Sequence, residues 1–178
     1  MSREDVEAVF GLLFLAVLII LATPNPLKPL LSSVLDQVVN KVFPLEEEWS
    51  LDEVQEFVKL LNEERSKLGL SNVSLATWLK DFAEVRWRHV AEYLLKTGKL
   101  KHYKFFEDRA RFNLTYVRVG ECCALHYTYP IPFSVLEGFK ESSKHWRILM
   151  HRGVKYIYVI CREVRDRGYL VVIVVADH

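Results

Sequence analysis

The chain has few side-chain amides: Gln37 and Gln55 are its only glutamines, and five asparagines complete the set among 178 residues. Such a scarcity of thermolabile amides fits a heat-adapted source. Net charge is almost absent too, at +1, with a pI near 7.7 and no basic stripe. That excludes a dedicated nucleic-acid binder, which needs an electrostatic footprint to hold a phosphate backbone. Cysteine is scarce and odd in number: Cys122, Cys123 and Cys161 allow one disulfide at most. Neighbours in a regular strand point to opposite faces, so Cys122 and Cys123 cannot both meet one partner, and they read as buried thiols with Cys161 a candidate partner for one of them. No Cys-x-x-Cys pair, Gly-rich phosphate loop, Gly-x-Ser-x-Gly elbow or His-Glu-x-x-His helix occurs. The nucleotide-binding, serine-hydrolase and zincin signatures are therefore all missing.

What is present is apolar: 51% of the residues are hydrophobic, enough for one core with an appendage at this length. Val9 to Ala22 carries no charge, and at about 1.5 Å per residue it would span about 21 Å of a hydrocarbon layer about 30 Å thick. Residues 1–23 are expected to form a membrane anchor. The alternatives are a cleaved signal peptide, which the acidic Glu4-Asp5 and the large Ile20 at the candidate cleavage site disfavour, and a buried soluble helix. Arg3 and Lys28 are too evenly placed to fix an orientation. Pro24, Pro26 and Pro29 stop the apolar helix. A second stripe, Leu30, Leu31, Val34, Leu35, Val38, Val39 and Val42, follows at helical spacing, so residues 24–48 read as a linker and amphipathic helix. That stripe would pack on the next domain, self-associate through residues 30–42 or lie on a membrane surface.

Residues 49–178 read as a single globular domain. Ser50 and Glu53 form a capping box, Val54, Phe57, Val58, Leu61 and Leu68 share a face, and Gly69 stands where a helix of about 17 residues should end. A second helix is expected from Leu75 to Lys96, with Trp78, Leu79, Phe82, Ala83, Val90, Ala91 and Leu94 inward and Gly98 just beyond it. A third should run from Ser134 to Leu149. Strand-like runs cover Tyr116 to Val119, Cys122 to Tyr127, Tyr156 to Val164 and Tyr169 to Ala176, the last two joined by a turn containing Gly168. Helices first and a hairpin last indicate the α+β class. Asn72-Val73-Ser74 and Asn113-Leu114-Thr115 are glycosylation sequons in expected loops, which favours a glycoprotein outside the cytoplasm.

From about Leu60 to Asp177 the chain resembles the CAP superfamily, which comprises cysteine-rich secretory proteins, antigen 5, pathogenesis-related class 1 proteins and a prokaryotic SCP-like branch. The resemblance rests on Leu61-Asn62-Glu63-Glu64-Arg65 with Gly69-Leu70, Phe82-Ala83, His89-Val90-Ala91, His102, Gly120-Glu121, and the spacing Phe139, Ser142, His145, Arg147, Leu149. The chain departs from the family at Cys122, where Asn is usual, and at Ser143 and Lys144. The resemblance implies a three-layer α-β-α sandwich with a cleft that accepts a small ligand, a lipid or a protein. It also implies that His102, Glu121 and His145 converge, with Glu137 or Glu141 as candidates for a second acid. Two imidazoles and a carboxylate suit zinc or another divalent metal. The same groups without metal could act as acid and base, or could hydrogen-bond two layers together. His89 reads as a helix-surface residue, and His126, His151 and His178 find no partner by spacing. Three functions stay open: a membrane-tethered extracytoplasmic binding domain, a peptidase-like hydrolase, and a structural cell-envelope protein.

Overall fold

The computed structural model describes residues 48–177. The anchor and stripe expected at residues 9–22 and 30–42 lie outside the described residues. Among the described residues no helix is long and apolar enough to cross a membrane.

The first helix, α1 (Leu51–Lys67), is 17 residues long and starts as its sequence dictates. The Ser50 hydroxyl accepts from the Glu53 backbone N–H, and the Glu53 carboxylate accepts from the Ser50 N–H, so two donors orphaned at the helix start are satisfied. Gly69 takes the left-handed conformation just past the end, at φ 65°. Val54, Phe57, Val58 and Leu61 are buried, whereas Leu68 is 57% exposed and the inward place belongs to Arg65. The expected second helix starts later than its pattern suggests. Ser74–Leu75 is a short strand, β1, parallel to the later strand at Tyr156 and Ile157. Thr77–Leu79 makes a 3₁₀ turn that leaves Trp78 exposed against Tyr156, and α2 (Lys80–Thr97) follows, closed by Gly98 at φ 69°.

α3 (Phe105–Arg111) spans seven residues, too few for a periodic pattern to announce it. The strand expected from Tyr116 begins only at Val119. Arg109 donates to the carbonyls of Leu114, Thr115 and Val117, holding that stretch as a 3₁₀ turn. β2 (Val119–His126) leads to α4 (Pro132–Glu141) and α5 (Ser143–Leu149). The single helix expected over Ser134 to Leu149 is thus two, broken at Ser142, whose backbone is extended. Paired serines favour such breaks because their hydroxyls compete for backbone hydrogen bonds. β3 (Tyr156–Val164) and β4 (Gly168–Ala176) form the expected hairpin.

The strand order is β1-β3-β4-β2, with β2 at one edge and antiparallel to β4. β4 is buried on both faces. Val171, Ile173 and Val175 join Phe57, Leu61, Val135 and Phe139 in the core beneath α1, α4 and α5. Leu170, Val172 and Val174 join Phe82, Trp87, Val90 and Leu94 in the core beneath α2. A helical layer therefore covers each face of the sheet, the α+β arrangement expected.

Candidate functional site

β2 sends alternate side chains to opposite faces, and this period of two builds the site. Gly120 and Cys122 face α5. A Cβ on Gly120 would stand 2.7 Å from the Cγ2 of Ile148, so glycine is what lets α5 pack this close. The Cys122 thiol lies 3.7 Å from the His145 carbonyl. Glu121 and Cys123 face α2 instead, and there Glu121 meets a charge.

Arg86, fully buried on α2, donates from Nε to Glu121 Oε2 at 2.6 Å and from Nη2 to Oε1 at 3.2 Å. Its Nη1 donates to the Tyr103 carbonyl at 2.7 Å and to Asp108 of α3. The Phe105 ring lies 5.4 Å from the guanidinium carbon, a cation–π contact. His89 reaches Asp108 Oδ2 at 2.7 Å through Nδ1, so it belongs to this network and is not the surface residue its position suggests. Burial pulls the Arg86 guanidinium down, but the hydrogen bonds and charges of Glu121 and Asp108 outweigh it and hold the group above its ordinary range. Two buried carboxylates against one guanidinium leave one negative charge in excess, which a protonated histidine would cancel.

His102 supplies that partner. Its Nδ1 lies 2.7 Å from Glu121 Oε1 and 3.8 Å from the Cys123 sulfur, while its side chain stays 46% exposed. The Cys123 contact and the Glu121 hydrogen bond, with the charges on both, push the imidazole up to about 10 against the opposing effect of burial. The carboxylate, at 2.7 Å, is the stronger partner by geometry, since a sulfur contact at 3.8 Å is long and weak. His145 behaves oppositely. Burial, with the nearby charges of His102 and Lys144, holds it below its ordinary range. Its ring lies edge-on to His102 with centroids 6.2 Å apart and packs against Phe139 at 5.4 Å.

Of the residues expected to converge, His102 and Glu121 are in contact and His145 stands beside them. His102, Glu121 and Cys123 place a nitrogen, an oxygen and a sulfur within 4.8 Å of one another, a group that could hold a metal ion. His145 is outside that group. Neither Glu137, which pairs with Lys140 at 2.9 Å, nor the exposed Glu141 supplies the second acid. Asp108 shares Arg86 with Glu121 but lies outside the group of His102, Glu121 and Cys123. The three cysteines are free and buried, and burial raises Cys122 and Cys161 above the ordinary thiol range. His126 is lowered by burial, and the His151 ring accepts from the Gly153 N–H.

No family model and no curated protein matches the sequence. Solved structures do. A cysteine-rich secretory protein of Staphylococcus aureus superposes with a TM-score of 0.55 at 12% identity, over 71% of this chain and 38% of its own. An outer surface protein of Borrelia burgdorferi gives 0.59 at 15% identity, over 75% and 99%. An extracellular protein of Bacillus anthracis that contains an SCP domain gives 0.51 at 18%, over 68% and 40%. The fold is that of the CAP, or SCP, domain. The chain spans well under half of the staphylococcal and Bacillus proteins and nearly all of the Borrelia one. In this CAP fold Arg86, His89, Asp108 and Cys123 are the members that spacing alone did not single out. Arg86 had one signal: it lies in the inward register of α2 with Phe82, Ala83 and Val90.

Proposed function

We propose that the chain is a membrane-tethered extracytoplasmic CAP-type domain that binds a ligand at His102, with a divalent metal as one candidate partner of His102, Glu121 and Cys123. The observation that carries this is the arrangement of charge. A buried guanidinium fixes Glu121 from behind, and Glu121 fixes one half-exposed imidazole at the surface. Holding buried ions for packing alone is costly, so a network that ends in one oriented exposed group is a reasonable site. The charge-free run Val9–Ala22 supports the tether, and the words "outer surface" and "extracellular" in the names of two structural neighbours support the location. Asn72 and Asn113 are exposed, which suits their sequons to glycosylation.

The donor set fits zinc in kind: imidazole, carboxylate and thiolate are all ligands it accepts. At 2.7 Å, however, Nδ1 and Oε1 are at hydrogen-bond distance, so an ion would have to displace the proton between them. Zinc at about 100 times its Kd should add about 2.7 kcal/mol to the stability of the full chain. The thermal midpoint should therefore rise with zinc, more at pH 8 than at pH 6, and should not respond to zinc in Cys123→Ser or His102→Ala. Equal midpoints with zinc and with chelator at both pH values would remove the metal from the reading.

General acid–base chemistry is a second reading with its own observation: neighbouring histidines shifted in opposite directions, His102 up and His145 down. That is the pattern of an acid beside a base. A hydrolase reading predicts turnover of a peptide substrate that disappears in both His102→Gln and His145→Gln. Turnover unaffected by either would exclude this pair.

A further inference from the structure

At the far end of β2 from Gly120, a cleft of about 690 Å³ shares no residue with the group at His102, Glu121 and Cys123. Its volume falls within the roughly 300–1,000 Å³ usual for small-molecule sites. Tyr127, Tyr129 and Tyr169 line it together with Glu163, Asp166 and Arg167 of the β3–β4 hairpin. Tyr127 is 87% exposed, while Tyr129 stands edge-on to Tyr169 at 5.2 Å and donates its hydroxyl to Glu53 at 2.7 Å. Tyr169 and Glu163 are directly opposite each other across the hairpin, on one face of the sheet.

One wall of this cleft is anchored at Gly168. Gly168 sits at φ 99°, and a Cβ there would stand 2.1 Å from the His126 carbonyl oxygen, so the hairpin tip is pressed against the end of β2. A wall fixed in this way loses little freedom when a ligand enters.

We propose that this cleft is a binding site for an uncharged oligosaccharide. The exposed Tyr127 ring presents a flat apolar face, which matches the C–H face of a pyranose. Glu163, Asp166 and Arg167 offer acceptors and donors for vicinal hydroxyls. An apolar ligand would strip water from these three charges without replacing its hydrogen bonds, which opposes its binding. A charged ligand of either sign would meet both signs at the rim. A polyhydroxylated neutral chain satisfies both kinds of wall.

The test uses the full chain in a zwitterionic detergent free of sugar headgroups. A β-1,4-linked N-acetylglucosamine tetramer and maltotetraose are titrated by calorimetry, with thermal melts confirming that each variant is folded. Saturable binding of at least one tetramer is expected. Tyr127→Ala should weaken it about ten-fold or more, as truncation of a central aromatic does. Tyr127→Phe should retain it, and Asp166→Asn, which tolerates the left-handed backbone at that position, should weaken it several-fold. Absence of saturable binding by both tetramers, or equal affinity in wild type and Tyr127→Ala, would overturn the proposal. So would a Tyr127→Phe variant as weak as Tyr127→Ala, since ring stacking would then not be the contact.

Discussion

His102 is held by groups that favour its charged form, and this ties its proton to folding. The folded imidazole is pushed up to about 10 from an ordinary 6.5, so between these values the folded chain binds more proton than the unfolded one. Its contribution to stability is therefore complete below about 6.5 and disappears as pH rises toward 10. The ring is nearly half exposed, so solvent screens the effect and its size is modest. Denaturant midpoints of wild type and His102→Gln should differ most near pH 6 and converge toward pH 10, and a constant gap would disprove the linkage. The half of the network that faces the surface was legible in the sequence, because His102 and Gly120-Glu121 resemble a known phrase. The buried half was legible only as an anomaly. Arg65 and Arg86 occupy inward positions of amphipathic helices, where a charge must find partners, and Arg65 finds the carbonyls of Ser71, Leu149, His151 and Val154. Nothing in the sequence names those partners, since all but Ser71 come from residues distant in the chain.

At the scale of elements, local chemistry decided which boundaries could be read. The capping box at Ser50, the glycines after α1 and α2, and the β3–β4 hairpin each rest on a few adjacent residues, and each stands where the sequence places it. β1 could not be read in that way: Ser74–Leu75 is a strand only because Tyr156 and Ile157 lie beside it. The turn before Val119 depends on the Arg109 side chain, which gathers the carbonyls of Leu114, Thr115 and Val117. The glycines give a test that separates backbone conformation from space. Gly69 has φ 65° with nothing near its missing Cβ, whereas Gly168 combines φ 99° with the His126 carbonyl. Gly69→Ala should cost about 1 kcal/mol, the usual penalty of a left-handed alanine. Gly168→Ala should cost about 3 kcal/mol or more, because the strand end must also move. Urea denaturation of both variants measures the difference, and equal losses would mean that the close approach adds nothing.

At the scale of the molecule, contacts between residues far apart in the sequence tie the start of the CAP-type domain to its centre. Trp49 is buried and donates its indole N–H to the Pro130 carbonyl, and its backbone N–H bonds to Cys161 of β3. Glu48 bridges to Arg162, which also holds Glu84 of α2 and lies over the Trp87 ring. The start of the domain is thus fastened to both layers and to the sheet between them. Among the described residues, no buried side-chain nitrogen or oxygen lacks a hydrogen-bond partner, and both cores are contiguous. A two-sided core with its polar groups satisfied has the means to fold by itself. Residues 46–178 produced alone should accordingly be soluble and unfold in one cooperative transition, with a midpoint within a few degrees of the full chain. The full chain should stay with membranes after a high-salt wash, whereas this fragment should not. An insoluble fragment, or one without a cooperative transition, would mean that the apolar stripe at residues 30–42 belongs to the core. A full chain released by salt, or a mature product beginning near Thr23, would overturn the tether and leave the fold intact.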